Sequence, residues 1–126
     1  MSTVSTAGLN AANDALVDLV DVGAGTATMV FYAGGVGGTT LVTFNLPNPA
    51  FGASSSGSAD LNSTPITAVA GATGTVNAYG VEDRNGTQVW SGDVGTGSEE
   101  IVIDNASITS SQSVNLNDYS MSATNP

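Results

Sequence analysis

Residues 74–94 constrain the fold more than any other part of the chain. Their letters, GTVNAYGVEDRNGTQVWSGDV, place two extended runs, 75–82 and 87–94, on either side of Asp-Arg-Asn-Gly at 83–86. Alternating apolar and polar residues that flank a turn rich in Asp, Asn and Gly predict a β-hairpin. This hairpin also contains the only tryptophan and the only basic residue of the chain.

Two registers are compatible with this hairpin. Asp in the first position and Gly in the fourth favour a type I turn closed by a left-handed Gly86, which places Trp90 opposite Gly80. A two-residue turn at Asn85-Gly86 places Trp90 opposite Val81 instead. A shift of one residue exchanges the two faces of a strand, so the register decides which side chains are buried. We favour the first register.

The composition excludes several classes of function. The chain has 126 residues, 11 acidic side chains, one basic side chain and a formal net charge of −10. Proteins bind nucleic acids and anionic membranes through Lys and Arg, so neither is expected as a partner. Cys, His and Lys are absent, which excludes thiol chemistry and removes the usual neutral-pH base and metal ligand.

The N-terminal region lacks the pattern of a targeting segment. No basic region precedes an apolar run, and the apolar stretch at 15–22 is interrupted by Asp18 and Asp21. The sequence therefore predicts neither a secretory signal nor a transmembrane span. We expect the chain to be made in the cytoplasm.

The chain is expected to form one domain, because its length suffices for a single modest core. Residues 1–5 are predicted to be an N-terminal arm and residues 123–126 a C-terminal tail. Between them, residues 6–122 are predicted to form one β domain with a helix at 6–22.

Apolar residues recur at helical spacing in this N-terminal segment and predict an amphipathic helix. Ser5 or Thr6 can cap its start, and Gly23 follows its end as a left-handed stop. An apolar stripe of this kind requires burial, and we expect it to cover the sheet of its own domain rather than a partner subunit. The stripe consists of Leu9, Ala12, Leu16, Leu19 and Val20.

The rest of the chain reads as short strands separated by turns. Phe51 follows Pro47 and Pro49 in a loop and is expected to plug the core, while the spacing from Leu116 to Tyr119 suggests a bulge in the last strand. About seven or eight strands with frequent turns predict a mostly β fold, an antiparallel sandwich or barrel. The predicted strands are 26–32, 40–46, 59–61, 66–69, 75–82, 87–94, 99–104 and 114–121.

Pairs of acidic residues raise the possibility of a glycoside hydrolase, which needs two carboxylates across a cleft. Adjacent residues on a strand point to opposite faces, so neither acidic pair forms a natural dyad. We therefore predict solvated carboxylates, no catalytic residue and no enzyme. A hydrolase would instead require Asp93 or Glu100 for activity. The carboxylates in question are Glu82, Asp83, Asp93, Glu99, Glu100 and Asp104.

Binding motifs are equally weak. Residues 83–86 resemble half of a calcium loop, but the closing glutamate of an EF-hand is missing and Arg84 lies among the ligand positions. The glycine clusters at 34–38 and 95–97 are not followed by a helix with a Lys, so they are not phosphate loops. Trp90 and Tyr79 are expected in the core, where aromatic residues usually lie. No cofactor or metal is predicted.

Several stretches together resemble a family of small bacteriophage virion structural proteins. The similarity includes the opening helix and extends over nearly the whole chain. Members of the family often carry an aromatic-Arg pair where this chain has Tyr79-Gly80. The resemblance rests on LVTFNLP at 41–47, PAFGAS at 49–54, GT at 74–75, Asp83, GT at 86–87, GDVG at 92–95 and the alternating segment 114–121.

The resemblance implies a capsid decoration or cement protein. Its expected partner is the major capsid protein, its expected location is the virion, and its expected oligomer is a homotrimer. Two alternatives remain open: a tail or head–tail component, and a carbohydrate-binding module displayed on the particle that uses Trp90 or Tyr79. The residues that contact the capsid are not predicted.

Overall fold

A computed structural model describes residues 4–97, 101–103 and 105–123. It confirms a mostly β fold with one N-terminal helix, α1, at Thr6–Val20. The strands are β1 Thr28–Ala33, β2 Thr39–Asn45, β3 Ala59–Asp60, β4 Ile66–Val69, β5 Gly74–Thr75, β6 Ala78–Glu82, β7 Gln88–Gly95, β8 Ile101–Val102, β9 Ser107–Ile108, β10 Ser113–Leu116 and β11 Ser120–Met121.

The strands form one five-stranded sheet and three two-stranded pairs among the described residues. The sheet has the order β2-β1-β6-β7-β8, and the pairs are β10-β4, β11-β3 and β5-β9. All pairings are antiparallel except β7 with β8, which is parallel. One continuous apolar core joins the inner face of the sheet to residues of α1 and the two-stranded pairs, so the architecture is sandwich-like.

Two predicted strands are each divided. The run at 75–82 becomes β5 and β6, which pair with different partners. The last run contains a break rather than the predicted bulge, because the chain leaves β4 after Leu116 and pairs with β3 from Ser120. These divisions and several two-residue strands give more strands than the sequence predicts. Of the predicted strand at 99–104, residues 99, 100 and 104 lie outside the described part.

The hairpin combines features of both predicted registers. The Gly86 N–H donates to the Asp83 carbonyl at 3.1 Å, and Gly86 has φ +85°, as the type I turn requires. Glu82 lies opposite Gln88, but a bulge then shifts the pairing by one residue. Trp90 therefore lies opposite Val81, and the favoured pairing of Trp90 with Gly80 is wrong.

Helix α1 starts as predicted but buries a different face. The Ser5 hydroxyl accepts from the Gly8 N–H at 3.0 Å, and the helix ends two residues earlier than the expected position 22. Its buried side chains are Asn13, Val17 and Val20. The helix packs on β3 and β7 of its own domain. Of the predicted stripe, only Val20 is fully buried; Leu9 and Leu16 are partly buried, and Ala12 and Leu19 are exposed.

A hydrogen-bond network explains why a polar residue occupies this buried face. Asn13 Nδ2 donates to Ser54 Oγ at 3.0 Å and to the Gly57 carbonyl at 2.9 Å, and its Oδ1 accepts from the Ala123 N–H at 2.7 Å. Asp14 Oδ1 accepts from the Ser54 N–H at 2.7 Å. The network joins the helix to the loop at 54–58 and to the start of the predicted tail.

Candidate functional site

The aromatic residues singled out in the sequence form one cluster in the core. The hydroxyls of Tyr79 and Tyr119 are hydrogen-bonded to each other at 2.7 Å, and the Trp90 indole N–H donates to the Tyr119 hydroxyl at 2.9 Å. The ring of Phe51 lies 5.5 Å from Trp90 and 5.9 Å from Tyr119, centroid to centroid. Phe51 is buried, which confirms that it plugs the core.

This geometry limits what the aromatic cluster can bind. Tyr79 is fully buried, so it cannot stack on a sugar, while Trp90 is half-buried with its N–H directed inward. A cavity of about 160 Å³ lies beside Trp90, between Leu16, Tyr119 and Met121. No carboxylate is among its described lining residues.

The described lining of the larger groove contains a single carboxylate. The groove has a volume of about 340 Å³ and is lined by isoleucines on one side, including Ile101 and Ile108, and by β10 on the other. Asp118 is the only carboxylate among the described residues that line it. A glycosidase needs a second carboxylate across the cleft, and the described part of this groove supplies none.

Among the described carboxylates considered for catalysis, Asp83 serves local structure and Asp93 is open to solvent. Asp83 Oδ1 accepts from the Asn85 and Thr87 N–H groups at 2.8 and 2.9 Å, so it is an acceptor within the turn. Asp93 is exposed on β7. Within the described ranges, no group of three or more acidic side chains is placed to hold a metal ion. Glu99, Glu100 and Asp104 lie outside those ranges.

Arg84, the only basic side chain, holds the turn against the loop that follows α1. Its side-chain Nε donates to the Gly25 carbonyl at 2.9 Å, and its backbone N–H donates to the Val22 carbonyl at 2.9 Å. A Cβ atom added at Gly23 would lie only 2.5 Å from Asn85 Oδ1. The turn and the loop therefore pack closely, and the Arg84 side chain is used in the fold.

The five-stranded sheet presents a second face, opposite the core, which we call the outer sheet face. At its centre Val30, Tyr32 and Ala78 form a separate buried cluster. In the register of the sheet, Val30 lies opposite Gly80, and Tyr32 lies opposite Ala78. Alternation in β1 predicts two faces, but sequence reasoning did not identify this cluster, because pairing with β6 assembles it.

Tyr32 and Gly80 are complementary on the outer sheet face. A Cβ built at Gly80 would lie 3.5 Å from the Tyr32 ring and 2.9 Å from Gln88 Oε1, so both side chains extend across the glycine. No described residue hydrogen-bonds the Tyr32 hydroxyl, although every buried side-chain polar atom in the described ranges has a partner. The ring is thus buried while the hydroxyl reaches the surface.

Two carboxylates flank this centre. Glu82 is opposite Thr28 on β1 and Asp93 is opposite Ala78 on β7, so both lie in the rows that face outward. Burial, and secondarily the charge of Glu82, raises the pKa of Tyr32 above its ordinary value. The hydroxyl therefore stays protonated near neutral pH.

Helix α1 is too short to cross a membrane, and it is the only helix in the described residues. Comparisons of this chain with protein-family models, with curated proteins and with solved structures gave no match.

Proposed function

We propose that this protein is a structural component of a bacteriophage virion, a decoration or cement protein that stabilises the head and has no catalytic role. The observation that carries the proposal is the dispersal of the reactive side chains. Asp83 and Arg84 hold a turn, Tyr79 is buried in the core, and Asp93 stands on an open sheet face. A domain with this distribution is suited to surface contacts.

The resemblance to small virion proteins supports the same proposal. The residues that carry it are structural in this fold: Phe44 and Phe51 are core residues, and Gly86 closes the hairpin turn in the left-handed conformation. The similarity thus involves positions that determine the architecture of the domain.

The physics of a capsid lattice is compatible with such a protein. Many weak contacts repeated by symmetry give high avidity, and a trimer would place three copies of each contact on the lattice. Copies with a net charge of −10 repel each other at low salt. Basic patches on the major capsid protein, or bound ions, are therefore required to offset this charge.

Quantitative mass spectrometry of purified virions tests the proposal. The ratio of this protein to the major capsid protein should be near one copy per capsid subunit, as a trimer at every three-fold position would give, or a simple fraction such as one third. A ratio of a few percent would place the protein at the vertices or in the tail. Absence from the particle would contradict the virion assignment.

A further inference from the structure

The hairpin turn contains a reactive pair of residues, Asn85-Gly86. No other asparagine of the chain is followed by a glycine. Both residues are exposed, and a Cβ atom added at Gly86 would meet no described atom beyond its chain neighbours within 4 Å. Glycine has no side chain to shield its own backbone nitrogen. That nitrogen is therefore an unhindered nucleophile next to the amide of Asn85.

The two residues can react with each other without an enzyme or a cofactor. Asparagine is one of the thermolabile residues of proteins. The Gly86 nitrogen loses its proton and attacks the side-chain carbonyl carbon of Asn85, a C–N bond forms, and the side-chain nitrogen leaves as ammonia. Water then opens the five-membered imide at either carbonyl. The products are aspartate in place of Asn85, or isoaspartate, whose main chain is longer by one carbon atom.

The closed turn keeps both reacting groups occupied. The Gly86 N–H donates to the Asp83 carbonyl at 3.1 Å, while the Asn85 and Thr87 N–H groups donate to Asp83 Oδ1 at 2.8 and 2.9 Å. The side chain of Asn85 packs against the loop that follows α1, since a Cβ atom added at Gly23 would lie 2.5 Å from its Oδ1. The reaction therefore requires the turn to open, and its rate follows the population of the open turn.

The products do not preserve the contacts of the turn. Arg84 makes three hydrogen bonds to the loop after α1: its N–H donates to Val22, its Nε donates to Gly25, and its carbonyl accepts from the Gly25 N–H. Either product adds a negative charge two residues from Asp83, and like charges repel. Isoaspartate also lengthens the turn, which displaces the next N–H from the Asp83 carbonyl.

We propose that Asn85-Gly86 is a site of spontaneous deamidation, that Asp83 slows the reaction by holding the turn closed, and that the isoaspartate product loosens the turn from the loop after α1. This inference goes beyond the proposed function and does not depend on it. Asn117 provides an internal reference, because it is exposed but is followed by Asp118, which has a side chain.

The test follows deamidation in the folded protein at mildly alkaline pH. Peptides are analysed by mass spectrometry with fragmentation that distinguishes aspartate from isoaspartate. Asp83→Ala removes the acceptor of the turn, whereas the matched control Asp93→Ala removes an exposed carboxylate toward the other end of β7. The wild type unfolded in urea gives the rate without protection, so the role of the turn is measurable even if Asp83→Ala does not fold.

Asn85 is expected to convert several times faster than Asn117 in the folded wild type, and at least about tenfold faster in urea than in the folded protein. Asp83→Ala should accelerate the conversion about fivefold, and Asp93→Ala by less than about twofold. If Asn85 converts no faster than Asn117 in the folded protein, the modification site is refuted. Equal rates in urea and in the folded wild type would refute the protection by the turn.

The effect of the product is measured on the converted protein itself. Anion exchange separates it from unconverted protein of the same incubation, because it carries one more negative charge. The isoaspartate fraction should melt several degrees lower than the unconverted fraction, and Asn85→Asp, which adds the charge without the extra main-chain atom, should melt between the two. Equal melting temperatures of the two fractions would show that the turn stays attached to the loop.

Discussion

Asn13 offers the sharpest test of the packing described for α1. It is the buried polar residue of the described chain, with no exposed surface. Its side chain bonds Ser54 Oγ, the Gly57 carbonyl and the Ala123 N–H at 3.0, 2.9 and 2.7 Å. Asn13→Ala leaves the last two, both backbone groups, without this partner and opens a small cavity.

The magnitude follows from how accessible those two groups are. Ala123 is exposed, so water replaces part of its bond, whereas Gly57 is only partly exposed. One poorly compensated carbonyl, one partly compensated N–H and the cavity together lower the free energy of unfolding by about 2–3 kcal/mol. For a domain of this length the melting temperature should fall by roughly 8 °C. Urea unfolding followed by Trp90 fluorescence measures the first quantity directly.

Two further variants make this prediction specific. Asn117→Ala changes an exposed asparagine and should alter the free energy of unfolding by less than about 0.5 kcal/mol. Asn13→Asp keeps the acceptor but buries a carboxylate, whose pKa should rise. Its stability should therefore be greater at low pH and decline as pH rises through that pKa. A loss below about 1 kcal/mol for Asn13→Ala would refute the proposed role of the network.

Three other predictions concern separate parts of the molecule. Tyr119→Phe removes the hydroxyl that is hydrogen-bonded to Tyr79 and Trp90. Urea unfolding should show that the free energy of unfolding falls by about 1–2 kcal/mol. An unchanged free energy of unfolding would mean that water replaces these bonds. Gly23 has a φ of +114°, and a Cβ atom added there would lie 2.5 Å from Asn85 Oδ1. Gly23→Ala should therefore lower the melting temperature by several degrees. Gly34→Ala, where the added Cβ atom meets open space, should lower it by about half as much. Because the pKa of Tyr32 is raised in the folded protein, its contribution to stability is present below pH 10 and is lost as pH rises further. Tyr32→Phe should therefore unfold less readily than the wild type in alkali, and identical alkaline profiles would contradict the shift.

The hairpin shows where prediction from sequence succeeds and where it stops. The type I turn and the pairing of Glu82 with Gln88 follow from local chemistry, because Asp83 bonds backbone groups two and four residues away. The bulge beyond this pair does not follow from the turn. It directs Trp90 toward Phe51 and Tyr119, and these contacts involve residues distant in sequence.

Helix α1 and the outer sheet face show the same limit. Periodicity predicts the helix, but it does not predict that Asn13 lies with Val17 and Val20 on the buried face. The partners of Asn13, which are Ser54, Gly57 and Ala123, come from remote segments. Alternation in β1 likewise predicts two faces. It cannot show that Gly80 lies opposite Val30 and leaves room for the Tyr32 ring, since that depends on the pairing of β1 with β6.

Cryo-electron microscopy of virions with and without this protein tests the central claim most directly. The difference map should contain a small β domain repeated at every equivalent position on the outer surface of the head. A difference confined to the tail, or no difference between the two particles, would contradict the account.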